Sequence, residues 1–142
     1  MGRGLSDLQK GMMRMAWDEL RAHDAFVADA AAKGKTFSDL YRDRDNWCGY
    51  VCVADVFRKF YGWIPVRTTG NFVTGGCYQH HFSKSEIGEK KYMAAYIAVH
   101  KALDRLVSRG LVSKNGGGRV YSLTIEGETL TAKQVESETK SF

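Results

Sequence analysis

VHKALDRLVSRGLVSKNGGGRVYSLTIEGETL, residues 99–130, changes its periodicity twice within one short stretch. Val99, Ala102 or Leu103, and Leu106 recur at helical spacing, and the pattern stops at Gly110, a residue suited to the positive φ that ends helices. Leu111-Val112-Ser113 then reads as a β segment, Lys114, Asn115 and three glycines follow, and residues 119–123 return as a second β segment. Asn-Gly between two β-capable runs signals a hairpin, because these residues tolerate the φ values of a tight turn. Residues 124–130 add a short turn or helix.

Upstream, the same helix reaches back to Ser83 or Ser85 as its cap, with Glu86 and Glu89 near its positive end. Tyr92 and Ala95 continue the apolar stripe. Lys90, Met93, Tyr96, Ile97, His100, Lys101 and Asp104 fall on the opposite side. Residues 63–84 are the least regular part, with Pro65, Thr68, Thr69, Gly70, Gly75 and the cluster Cys77-Tyr-Gln-His-His81. A hairpin around 71–78 is one reading of it, and a loop of this length in a small domain is unusual. A second helix is expected over 47–61, from Val51, Ala54 or Asp55, Phe57 or Arg58, and Tyr61, with Gly62 as its stop. Residues 35–46 read as a solvated connection. A first amphipathic helix over 5–23 follows from Leu5, Leu8, Met12, Met15 or Ala16, and Leu20, with Ser6 and Asp7 as caps; alanines carry it on to Gly34. The polar tail 131–142 is expected to fray.

A chain of 142 residues with 44% hydrophobic and 26% charged residues suits one folded domain and excludes wholesale disorder. The apolar runs are too short to span a membrane: residues 25–32 are interrupted by Asp29 and 50–57 by Asp55. The first ten residues lack the apolar stretch of a signal peptide, so a soluble cytoplasmic protein is expected. Three cysteines, Cys48, Cys52 and Cys77, cannot all pair within the chain, which fits a reducing compartment and free, mostly buried thiols. The net charge of +5 is unevenly placed. Residues 82–119 hold eight Lys/Arg against three Asp/Glu, which alone gives +5, while 1–81 give +2 and 120–142 give −2. Concentrated basic charge is the footprint of polyanion binding; its alternative is a solvated basic face.

The element order, two helices, a long loop, a third helix and a hairpin with a basic, glycine-rich tip, resembles the winged helix-turn-helix proteins of the MarR-like kind. The resemblance rests on Leu103, Leu106, Gly110 and Leu111 at the end of the third helix, and on Leu123, Thr124 and Gly127 after the hairpin. Residues 5–20 resemble the first helix of such domains more loosely, and 53–63 the positioning helix. The resemblance implies a mainly α fold with a small antiparallel β hairpin (α+β), a winged-helix domain over 1–130 with a loop inserted at 63–84 and a wing at 112–123. It implies a transcriptional regulator of double-stranded DNA with a recognition helix at about 86–109. Base reading would fall to Tyr96, Ile97, His100 and Lys101, and phosphate contact to Lys90 and Lys91. Arg105 and Arg109 would face phosphate or pair with Asp104. Lys114, Asn115 and Arg119 would act from the wing. The chain departs from the pattern between its second and third helices, where a compact helix-turn-helix has only a short turn. Arg67, Thr68, Thr69 and Asn71 in that insertion are either further phosphate contacts or an ordinary polar loop.

The alternative function is a winged-helix protein–protein interaction module in a replication or defence complex. A homodimer is left open, since the tail is polar for a long coiled contact. Cys48, Cys52, Cys77 and His80 could together hold zinc, with Cys48 and Cys52 on one helical face, although the usual C-x2-C knuckle is missing. Cys77 beside His80 or His81 suggests a thiol and its base only by sequence proximity. The glycines after Asn115 precede a strand rather than a helix, so they form no phosphate cradle. No enzymatic activity and no cofactor are expected.

Overall fold

A computed structural model describes residues 4–34, 50–69, 79–115 and 120–140. Ser6 opens helix α1 (Asp7–Ala32) with a capping box: its hydroxyl accepts from the Gln9 backbone N–H, and its own N–H donates to the Gln9 side chain. The Gln9 amide also donates to the Ala102 carbonyl at 3.2 Å, tying the start of α1 to a helix far along the chain. Met12, Met13 and Ala16 point from α1 into the core and are fully buried.

Strand β1 (Tyr50–Cys52) runs straight into helix α2 (Val53–Phe60). The helix expected over 47–61 is therefore corrected: residues 50–52 are extended and only 53–60 are helical, while 47–49 lie outside the described residues. The cause is tertiary. Val51 pairs with Tyr121 and Cys52 with Val120, so β1 completes a sheet whose other strands lie some seventy residues later. The expectation of free thiols is corrected as well, because Cys52 is disulfide-bonded. Its partner lies outside the described residues.

Two strands bracket the irregular segment, β2 (Arg67–Thr69) and β3 (Gln79–His81), in antiparallel register with Thr68 opposite His80. These strands pair on either side of 71–78; the hairpin expected within that stretch lies outside the described residues. The strand pair is fastened in two ways. His80 Nε2 donates to Asp55 of α2 at 3.1 Å, and its Nδ1 lies 2.9 Å from the Thr68 hydroxyl. Trp63 stacks on Phe57 at 4.7 Å between ring centroids and on Tyr92 at 5.4 Å. The insertion therefore has an aromatic floor shared with the core.

The third helix is split. A single turn, α3 (Lys84–Ile87), is capped by Ser83, and the main helix α4 (Glu89–Ser108) starts after Gly88. Gly88 takes φ 101°, which breaks the continuous helix expected from 83 or 85. Ala95, Val99, Ala102, Leu103 and Leu106 form the buried stripe of α4. Strands β4 (Val112–Asn115) and β5 (Val120–Leu123) make the hairpin read from the sequence, and the sheet order is β1-β5-β4.

The joint after α4 explains two short sequence phrases at once. Gly110 has φ 73°, its N–H donates to the Val107 carbonyl, and the Leu111 N–H donates to the Leu106 carbonyl. This is the Schellman ending, with Leu106 and Leu111 both buried. Thr124 then donates from its hydroxyl to the Gly110 carbonyl at 2.6 Å and from its N–H to the Leu111 carbonyl at 3.1 Å. The same hydroxyl caps helix α5 (Ile125–Lys140) by accepting from the Gly127 N–H. A Cβ on Gly127 would collide with the Leu111 carbonyl. The polar tail is corrected by α5: residues 131–140 continue the helix instead of fraying. Arg21 and Arg14 of α1 bind Glu128 and Glu138 of α5 at 2.8 and 2.9 Å, and Thr131 is buried between the elements.

The molecule is mainly helical with a small antiparallel sheet, an α+β arrangement. Among the described residues no helix is long and apolar enough to cross a membrane.

Candidate nucleic-acid interface

Helix α4 is held on one side by the core stripe and on its flank by β4, which leaves a continuous outer face. Lys90, Lys91, Met93, Ala94, Tyr96, Ile97, Ala98, Lys101, Asp104 and Arg105 are all exposed on it, and His100 is half-buried. Lys114 projects from β4 beside this helix and is also exposed. The structure thus brings together eight of the ten residues expected to contact DNA. The Asn115 side chain and Arg119 lie outside the described residues.

Charge distinguishes this face. Among the described residues, Lys90, Lys91, Lys101, Arg105 and Lys114 form no ion pair, and Arg105 does not pair with Asp104. Five cations without an ion-pair partner among the described residues, against the one carboxylate of Asp104 on this face, make a surface for an anion with spaced charges.

His100 sits where the helix meets the hairpin. Its ring lies 4.3 Å from the Tyr96 ring, tilted by 45°. Burial pushes its pKa below the ordinary 6.5; Asp104 opposes this and Lys114 adds to it. At neutral pH the ring is therefore uncharged, with one nitrogen donating and one accepting. Tyr121 stands directly opposite Lys114 in the sheet and is fully buried; its hydroxyl finds no hydrogen-bond partner among the described residues. Burial raises its pKa, with Asp104 and Tyr96 acting in the same direction.

Compared with models of known protein families, with curated proteins and with solved structures, the chain matches none.

The zinc set loses two of its members. Cys52 spends its sulfur in a disulfide and closes a strand, so it shares no helical face with Cys48. Both ring nitrogens of His80 are already hydrogen-bonded. Cys48 and Cys77 lie outside the described residues, and no cluster of ligating side chains occurs among those described. The Thr68–His80–Asp55 chain of hydrogen bonds follows from strand register, since Thr68 and His80 face each other across the hairpin. Arg67, Thr68 and Thr69 are exposed there, and Thr69 is bonded to His81 at 2.9 Å.

Sequence reasoning missed the ring column that leads to the site. Trp63, Phe57, Tyr92 and Tyr96 lie within 25° of parallel in successive pairs and end at His100. Tyr92, Tyr96 and His100 at four-residue spacing were the available signal; Trp63 joins them only through the fold. A shallow cleft between α1 and α5, lined by Trp17, Arg21, Ile125 and Glu128, is crossed by the Arg21–Glu128 ion pair.

Proposed function

We propose that this chain is a winged-helix protein that binds double-stranded DNA sequence-specifically as a transcriptional regulator. Helix α4 enters the major groove and the β4–β5 hairpin follows the neighbouring backbone. The observation that carries this reading is the set of unneutralised cations, Lys90, Lys91, Lys101, Arg105 and Lys114, around an exposed helix face whose opposite side is locked into the core. Major-groove binding needs a rigidly backed helix with an open outer face, and phosphate contact needs cations free of internal partners. A neutral His100 adds a donor and an acceptor toward base edges, and Lys101 a donor toward guanine.

A second reading is favoured by a separate observation: Met93, Tyr96 and Ile97 on the same face are exposed and largely apolar. Under that reading α4 docks on a protein partner in a multi-protein complex.

The deciding experiment is fluorescence anisotropy on mixed-sequence duplex DNA across a salt series. The DNA reading expects affinity to fall by orders of magnitude over roughly a fourfold rise in salt, as several phosphate contacts require. Absence of binding at low salt would transfer the function to protein docking.

A further inference from the structure

Between its two ends the outer face of α4 carries almost no hydrogen-bonding groups. From Met93 to Ala98 the exposed residues are Met93, Ala94, Tyr96, Ile97 and Ala98, and only Tyr96 has a polar atom. Met93, Tyr96 and Ile97 keep 46%, 42% and 47% of their surface exposed, although each is large and hydrophobic. Cations bound this apolar span on both sides: Lys90 and Lys91 before it, Lys101 and Arg105 after it. Lys90 and Lys101 stand about 16 Å apart along the helix axis at 1.5 Å per residue. Cations therefore stand at both ends of the apolar span, where the phosphates that edge a major groove are within reach of long side chains.

Inside such a groove an apolar side chain has one apolar partner on the base edges, the C5-methyl group of thymine. Apolar side chains strip water from donors and acceptors of any base pair, which is costly, but only A·T pairs offer a methyl group in return. We infer that the middle of α4 reads thymine, with Met93, Tyr96 and Ile97 packing on C5-methyl groups, so that the preferred duplex is rich in thymine beneath this face. The inference rests on the DNA-binding reading and specifies what that site selects. His100 and Lys101, at the far end of the span, supply the polar part of the readout.

The test starts from a pool of randomised duplexes, from which the full chain selects its tightest binders. The best of these is then remade with deoxyuridine in place of thymine, which removes the methyl groups and keeps every hydrogen-bonding group. The selected duplexes should be enriched in thymine, and the deoxyuridine version should bind several-fold to roughly tenfold more weakly, at about fourfold per methyl buried. Ile97→Ala, a change at a half-exposed position, should shrink that difference while leaving the salt dependence intact. Equal affinity for the two duplexes would overturn thymine reading and leave DNA binding standing. A difference that persists undiminished in Ile97→Ala would also overturn it, because the methyls would then act through duplex stiffness. Failure to enrich or bind any duplex would overturn the DNA reading itself, and the apolar face would belong to a protein partner.

Discussion

Arg14 and Arg21 on α1 carry the same charge as Lys101 on α4 and Lys114 on β4, and the two pairs are used differently. Arg14 binds Asp18 and Glu138, Arg21 binds Asp24 and Glu128, and both guanidinium groups lie over the Trp17 ring within 5.6 Å. These pairs are half-exposed, so each adds little stability; their effect is to cancel charge and to seat an acidic helix, α5, on α1. On α4 and β4, by contrast, Lys90, Lys91, Lys101, Arg105 and Lys114 form no ion pair among the described residues. A count of basic residues therefore does not locate a polyanion site. What locates it is which cations the fold leaves without carboxylates.

The sharpest way to break the contrast is at the joint that holds the two faces together. Gly127 lies against the Leu111 carbonyl, and Gly127→Ala would force a Cβ into that backbone atom. The substitution should destabilise the fold by roughly 3 kcal/mol, read as a lower urea midpoint, because a backbone carbonyl cannot rotate away as a side chain can. An unchanged midpoint would mean that α5 does not need its close seat on the end of α4.

A smaller effect sharpens the picture at His100. Its folded-state pKa is held below 6.5 by burial, so the unfolded chain takes up the proton first as pH falls. The stability linked to this residue is therefore present above pH 6.5 and is lost as pH drops through the folded value. The melting temperature should decline modestly below pH 6.5, and His100→Gln should flatten that part of the curve. An unaltered curve in the variant would place the proton uptake elsewhere.

The legible parts of the sequence were those whose hydrogen bonds are local. Leu106, Gly110 and Leu111 specify a helix ending within a few residues, and Thr124 and Gly127 specify the next helix start, so the phrases around 106–111 and 123–127 could be read directly. The outer face of α4 was legible for the same reason, since helical periodicity fixes which residues oppose the core. Strand β1 was not, because Tyr50–Cys52 is extended only by pairing with β5. The α5 helix looked like a fraying tail because its support, Arg14 and Arg21, lies more than a hundred residues upstream. The break at Gly88 was hidden inside an otherwise regular pattern. The disulfide at Cys52 and the absence of ion pairs at the α4 lysines among the described residues are likewise properties of the fold, not of local sequence.

Two double variants that each remove two positive charges test the central claim most directly: Lys101→Gln with Lys114→Gln, and Arg14→Gln with Arg21→Gln, both titrated against duplex DNA over a salt series. The first pair should weaken binding by at least roughly tenfold and lower the slope of log affinity against log salt by about two. The second pair should leave affinity and slope close to those of the unmodified chain. Equal losses in the two variants would contradict the account, since binding would then follow net charge rather than the free cations of α4 and its neighbouring strand.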